Sequence, residues 1–201
     1  GFANTVDAGA GDDQVIMQGG NTVSLGAGDD VMEAAGWIGE LDAGEGDDSV
    51  DLFGGGNAID LGDGDDSLDA FHWVTKVEGG AGDDAIRLMA GGQADGGGGD
   101  DTIEVGGSGS HADGNAGDDT FVFDFGGATG GSHAFDGGTG VDTAVLRFDG
   151  ADENTERLRD LLESGEFQGW FQDAKSGAMV QLADVETVIL EIGDSSEAFL
   201  A

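Results

Sequence analysis

Apolar residues recur along this chain in columns at a fixed interval. One column is Val15, Met32, Val50, Leu68, Ile86, Ile103 and Phe121, followed two residues later by Met17, Ala34, Leu52, Ala70, Leu88, Val105 and Phe123. Such alternation predicts a short strand with one face turned inward. A further column is Val6, Val23, Leu41, Ile59, Val77, Ala94, Ala112 and Phe135. The residue after each of these, Asp7, Ser24, Asp42, Asp60, Glu78, Asp95, Asp113 and Asp136, is acidic in all but one case and is expected to face solvent. Each period therefore predicts two short strands and two turns. Stacked periods predict two parallel sheets, with strands about 4.8 Å apart, around a thin aliphatic core.

Between the columns stands an eight-residue phrase that sets the period. It reads AGAGDDQV from Ala8, LGAGDDVM from Leu25, AGEGDDSV from Ala43, LGDGDDSL from Leu61, GGAGDDAI from Gly79, GGGGDDTI from Gly96, GNAGDDTF from Gly114 and GGTGVDTA from Gly137. Its sixth residue is always aspartate: Asp13, Asp30, Asp48, Asp66, Asp84, Asp101, Asp119 and Asp142, at intervals of 17, 18, 18, 18, 17, 18 and 23 residues. Self-similarity at such a period is the signature of a solenoid with one coil per repeat. A backbone that reverses within six residues and aims its carbonyls at one point must visit positive φ, which glycine does without steric penalty. Carbonyls converging beside a carboxylate suit a hard cation, and calcium takes about six to eight oxygen ligands. Without a cation the aspartate column repels itself, by roughly 1 kcal/mol per neighbouring pair even in water-like dielectric.

The phrase resembles the nonapeptide G-G-x-G-x-D-x-U-x, with U a large apolar residue, of the RTX (repeats-in-toxin) calcium-binding family. The resemblance covers residues 8 to 146. It implies an all-β, right-handed parallel β-roll (a β-solenoid) of about 18 residues per coil, with Ca2+ between the turns of neighbouring coils. Carried onto this chain, one site takes the carbonyls of Gly80 and Gly82 with Asp84, and the carbonyls of Gly96 and Gly98 with Asp101 from the next coil. By the same pattern the resemblance implies metal ligation by Gly9, Gly11 and Asp13; by Leu25, Gly26, Ala27, Gly28 and Asp30; and by Ala43, Gly44, Glu45, Gly46 and Asp48. It extends to Leu61, Gly62, Asp63, Gly64 and Asp66; to Gly79, Ala81, Gly97 and Gly99; to Gly114, Asn115, Ala116, Gly117 and Asp119; and to Gly137, Thr139 and Asp142. Eight turns enclose about seven inter-coil sites. The first glycine is replaced at Ala8, Leu25, Ala43 and Leu61, the second at Asn115, and the run of aspartates at the fifth position ends in Val141. A carbonyl ligand tolerates the first kind of change, so Asn115 marks the turn whose geometry departs most.

The family usually carries binding turns on both edges of its roll. Here the opposite turn, nine residues on, would need carboxylates where the chain has Thr22, Gly39, Asn57, Thr75 and Gln93. One ion-loaded edge and one ion-free edge are therefore expected.

Composition narrows the partners. The 201 residues include 42 glycines, no proline and no collagen-like triplet period, which fits turn-dense repeats. A net charge of −37, from 43 acidic against 6 basic residues, excludes nucleic acid and argues against an anionic membrane. Cysteine is absent, so neither disulfides nor a thiolate metal site are available. No apolar run approaches the roughly 18 residues that span a bilayer, and a signal-peptide pattern is missing at the start. The chain opens inside a repeat, as expected of a piece of a longer protein.

Two domains are expected, a roll over residues 1–146 and a carboxy-terminal cap and secretion region over residues 147–201. Extra residues around Gly126, Gly127, Gly130 and Gly131 predict a loop on the ion-free edge. Asp152 to Ser164, with Leu158, Leu161 and Leu162 at helical spacing and Gly165 beyond, predicts one amphipathic helix. Gln168 to Asp173 and Gly177 to Leu182 predict a hairpin, and Val185 to Ile192 a strand, together covering the roll's open end. The phrases FDGGTGVDTAVL from Phe135 and LADVETVIL from Leu182, with Ser195 to Ala201 placing Glu197 before Ala198, Phe199 and Leu200, resemble the carboxy-terminal region of type I secreted RTX proteins. That likeness implies the type I secretion machinery as partner and an extracellular location, outside a Gram-negative bacterium.

Catalytic patterns are absent around His72, His111 and His133, and the pairs Ser110-His111 and Ser132-His133 are read as turn packing. The fragment is read as no enzyme. Phe53, Phe71 and Met89 form one column and Trp37 and Trp73 another; they are read as filling the wider end of the roll, the alternative being a ligand-binding or self-association stripe. The function expected is a calcium-dependent folding and export module. The alternatives are an accessory domain of a secreted hydrolase or epimerase, or a piece of an adhesin or surface-layer protein.

Overall fold

The structure, a computed structural model, describes residues 5–126, 130–165, 167 and 169–200. Gly127 of the expected loop, Gln168 of the expected hairpin and Ala201 lie outside the described residues. The chain alternates between two sheets from its start. One sheet takes β1 (Thr5–Ala10), β3 (Gly20–Ala27), β5 (Ile38–Glu45), β7 (Gly56–Asp63), β9 (Val74–Ala81), β11 (Gly92–Gly98), β13 (Ser110–Ala116) and β15 (Ser132–Asp136). The other takes β2 (Gln14–Met17), β4 (Val31–Ala34), β6 (Ser49–Leu52), β8 (Ser67–Ala70), β10 (Ala85–Leu88), β12 (Thr102–Val105), β14 (Thr120–Asp124) and β16 (Thr143–Phe148). Every neighbouring pair among these is parallel, with the columns in register: Ile59 pairs with Val77, and Leu68 with Ile86. The result is a parallel β-solenoid with coils of about 18 residues.

From the second coil onward the inward columns are buried. Val23, Leu41, Ile59 and Val77 on one sheet and Met32, Val50, Leu68 and Ile86 on the other are no more than 3% exposed. The first sheet's strands run further than expected, through the third position of the phrase. Leu25, Ala43 and Leu61 are fully buried core residues, because inward alternation continues from Val23, Leu41 and Ile59. The reversal proper is confined to the fourth to sixth positions, as at Gly64, Asp65 and Asp66.

The cap continues the roll before closing it. After β16 comes α1 (Glu153–Ser164), whose Asp152 carboxylate accepts from the N–H groups of Asn154 and Thr155, and which ends at Gly165 with φ +68°. Leu158 and Leu162 bury its inner face. The expected hairpin is present as β17 (Trp170–Gln172) antiparallel to β18 (Met179–Ala183), and the expected strand as β19 (Thr187–Ile192). In addition, β18 pairs parallel with β15 and β19 with β16, so residues 179–192 add a further coil that lacks the glycine phrase. A strand not anticipated, β20 (Ser195–Leu200), pairs antiparallel with β19. Antiparallel β17 and β20 thus end the two ten-stranded sheets. The enlarged connection after Phe125 leaves the second sheet for the first on the edge opposite the aspartates, as expected for Gly126, Gly130 and Gly131.

Candidate functional site

The glycine phrase builds one continuous edge. Its second and fourth glycines have φ between +104° and +153° in all but one case, Gly138 at +92°. From the second coil onward, at Gly26 and Gly28 and their equivalents, they also have no room for a side chain. A Cβ on Gly80 would stand 1.9 Å from the carbonyl oxygen of Gly62, and one on Gly82 would stand 2.1 Å from that of Gly64. Each coil thus lays carbonyls directly on the α-carbons of the next. Asn115 fits because asparagine tolerates the left-handed region: its φ is +68°. Its carbonyl accepts from the Thr139 N–H at 2.8 Å, and its side-chain amide donates to Asp95.

Two ladders of side-chain to backbone hydrogen bonds run along this edge in opposite senses. The sixth-position carboxylate of each coil accepts the sixth-position N–H of the coil before it: Asp30 from Asp13, Asp48 from Asp30, Asp66 from Asp48, Asp84 from Asp66, Asp101 from Asp84, Asp119 from Asp101 and Asp142 from Asp119, all at 2.7 to 2.9 Å. The fifth-position carboxylate accepts instead from the coil after it, as Asp65 does from Asp83 at 2.9 Å and Asp118 from Val141 at 2.8 Å. Hydrogen bonds to a charged acceptor contribute about 1.5–3 kcal/mol each. The fifth-position role was missed in the sequence, although the repetition of the DD pair was its signal. Glu186 was missed as well: it accepts the Asp142 N–H at 2.7 Å and so takes the aspartate's place in the added coil.

From Asp30 onward each sixth-position carboxylate uses only one of its oxygens. The other, Oδ2 of Asp30, Asp48, Asp66, Asp84, Asp101, Asp119 and Asp142, is buried with no hydrogen-bond partner. These residues are at most 2% exposed. Burial, reinforced by the neighbouring carboxylates, pushes Asp84 up to about 7 and Asp66 and Asp101 up to about 6, and raises Asp48, Asp119 and Asp142. A row of buried carboxylate oxygens with unused lone pairs is what a hard cation requires, so the donor set fits calcium. The Asp84 Oδ2 and the Gly96 carbonyl lie 2.4 and 2.3 Å from the point where a Cβ on Gly79 would stand, so both border the space that glycine leaves open, and Asp119 Oδ2 and the Gly137 carbonyl do the same at Gly114. The third-position carbonyls are engaged in the sheet, that of Gly98 by the Gly82 N–H at 2.7 Å. Among the described residues no three His, Cys, Asp or Glu side chains converge as a metal cluster. Backbone carbonyls would have to complete any site here.

The opposite edge differs from its expected register. Thr22, Gly39, Asn57 and Thr75 lie inside β3, β5, β7 and β9, and the turns are formed by residues 35–37, 53–55, 71–73 and 89–91, which contain no carboxylate either. The aromatic columns do not fill the interior: Trp37, Phe53, Phe71, Trp73 and Met89 stay 41% to 49% exposed, because Phe53, Phe71 and Met89 come directly after the last inward residue of a short strand and Trp37 and Trp73 sit in the turn directly before the buried Ile38 and Val74. Nor is His133 a turn residue. It is fully buried in β15 against Phe123, opposite Ser110 of β13, and burial pushes it down to about 4.

Comparison with known proteins gives no match: no family model, no curated protein and no solved structure aligns significantly with this chain.

Proposed function

We propose that this chain is a calcium-dependent folding and export module of an extracellular RTX-type protein, holding one row of calcium ions along its glycine and aspartate edge. The observation that supports it best is the row of buried, unpartnered carboxylate oxygens from Asp30 to Asp142. Buried charge without a counter-charge costs several kcal/mol per group, and a column of such groups has to be neutralised for the coils to stack. Bound calcium would supply that counter-charge and accept carbonyl and carboxylate oxygens together. The sixth-position aspartates and the turn carbonyls bind, the glycines let neighbouring coils approach, and the fifth-position aspartates hold the register.

Folding and ion binding are then one event. Where calcium is scarce the aspartate row opposes stacking, and the chain stays open enough to pass through the type I secretion machinery. Outside, where calcium is abundant, the row closes. A calcium titration from chelator followed by far-ultraviolet circular dichroism tests this, with magnesium as comparison. Strand signal is expected to rise cooperatively with calcium alone, and Asp66→Ala, between two sites, to broaden the transition more than Asp13→Ala at the end. A full strand signal in chelator at neutral pH would sink the proposal.

A further inference from the structure

The edge opposite the aspartates has no part in that function, yet it carries the exposed aromatic residues of the roll. Trp37 and Trp73 occupy the same place two coils apart, since Ile38, Gly56 and Val74, the residues that follow this position in successive coils, are in register. Two strand spacings separate them, about 9.5 Å. The equivalent position in the following coil is glycine each time. The Cζ3 atom of Trp37 lies 3.4 Å from where a Cβ on Gly55 would stand, and that of Trp73 lies 3.1 Å from the same point on Gly91. Each indole is therefore supported by the next coil while remaining nearly half exposed. Phe53 and Phe71 stack on one another at 4.9 Å with planes 6° apart, so each already covers one face of the other, whereas Trp37 and Trp73 stand apart with an intervening glycine coil.

Beside Trp37 runs an open groove lined by Asn21, Thr22, Gly39, Glu40 and Asn57. Gly39 leaves a gap in the outward row between Asn21 and Asn57, and the row continues at Thr75, whose hydroxyl donates to Asn57 Oδ1 at 3.2 Å. A flat aromatic face flanked by amides and hydroxyls suits a sugar ring, which offers C–H groups on its face and hydroxyls at its rim. The spacing of the platforms is close to the disaccharide repeat of an extended β-1,4-linked glycan. The net charge of −37 selects against anionic chains.

We propose that this edge binds a neutral β-1,4-linked glycan lying along the roll, with Trp37 and Trp73 stacking on sugars two residues apart. Calorimetric titration of the whole chain in calcium with cellobiose and cellohexaose tests it. Cellohexaose is expected to bind at least about tenfold more tightly than cellobiose, because only the longer chain reaches both platforms. Trp37→Ala and Trp73→Ala should each weaken cellohexaose about tenfold, the scale of one lost ring contact, whereas Trp37→Phe keeps most of the affinity. Trp170→Ala, on the cap and 55% exposed, should change nothing. Circular dichroism matching the unaltered chain establishes that each variant is folded. No heat with cellohexaose, equal affinity for the two sugars, or full affinity in both folded tryptophan variants would overturn the proposal. A dimer in sedimentation that Trp37→Ala dissociates, without glycan binding, would overturn it too and assign the edge to a second copy of the chain.

Discussion

The first four coils and the last four use the same turn but fill the first position of the phrase differently. In the amino-terminal half Leu25, Ala43 and Leu61 place fully buried side chains in the core there. In the carboxy-terminal half the position is Gly79, Gly96, Gly114 or Gly137, and the point where a Cβ would stand lies 2.1 to 2.4 Å from Oδ2 of the aspartate five residues on. One place in the coil thus serves as apolar core in one half and as room for a carboxylate in the other. The volume forgone at the glycines is regained by large residues in other columns: Phe121, Phe123 and Phe135 are fully or almost fully buried, with Phe121 stacked on Phe135 at 5.3 Å. Aspartates with a buried, unpartnered Oδ2 occur in both halves, from Asp30 to Asp142, and in the second half the first position is left open to that oxygen.

Exchanging the first-position residues should break that difference. Leu61→Ala removes core volume and is expected to cost about 3 kcal/mol, with little change in calcium affinity. Gly96→Ala puts a methyl group against the Asp101 carboxylate and should cost about 1–2 kcal/mol, while shifting the calcium midpoint upward. Ala43 beside Asp48 shows that a turn with alanine at this position can form, so the second variant should still fold. Thermal unfolding and calcium titration on both variants separate the cases. Equal displacement of the calcium midpoint would show that the two halves do not differ as described.

Much of this architecture was legible because the sequence states it eight times in register. A column such as Val23, Leu41, Ile59 and Val77 identifies an inward strand position even where a single short strand would be ambiguous. The helix was legible from its own caps, Asp152 and Gly165. What escaped reading lies where the repeat carries no information or two. Leu25 and Leu61 belong to the binding phrase and to the core at once, and the phrase masked the alternation. Glu186 is not an aspartate and its coil lacks glycines, so nothing marked it as the next rung. The exposure of Trp37 and Trp73 depends on turn geometry, which composition does not encode.

The aspartates also allow the comparison to be sharpened with pH. Their folded-state affinities for protons lie above the ordinary value of 3.8, at about 7 for Asp84 and about 6 for Asp66 and Asp101. Protons therefore bind the folded roll more tightly than the unfolded chain. The resulting stabilisation is complete below the unfolded value and is lost as pH rises through about 6 to 7. In chelator the chain should be more stable near pH 5 than near pH 8, and Asp84→Asn should flatten part of that slope. In calcium the trend reverses, since protons and cations compete for the same oxygens, and the calcium midpoint should rise as pH falls through this range. Denaturant unfolding across pH, with and without calcium, reads both slopes. A metal-free stability that rises with pH would contradict the buried, unpaired state of these carboxylates.

The smallest effect tests whether the added coil continues the aspartate ladder. Glu186 accepts the Asp142 N–H, and its charge, after burial, is among the causes that raise Asp142. Bond and charge can be separated. Glu186→Gln keeps an acceptor oxygen of the same reach and removes only the charge, so in chelator near pH 5, where protonated aspartates let the roll fold, it should lie within about 0.5 kcal/mol of the original. Glu186→Ala leaves the Asp142 N–H without that partner and should cost about 1–2 kcal/mol, with faster amide exchange at Asp142 and in β16 and β19, which pair on that side of the roll. If calcium occupies the interface between Asp142 and the added coil, Glu186→Gln should further weaken one site out of the row while leaving the fold intact. Identical exchange in the two variants would show that Glu186 is not a rung, and that β18 and β19 are held to the roll by their pairing with β15 and β16 and by Val180, Val188 and Leu190 packing.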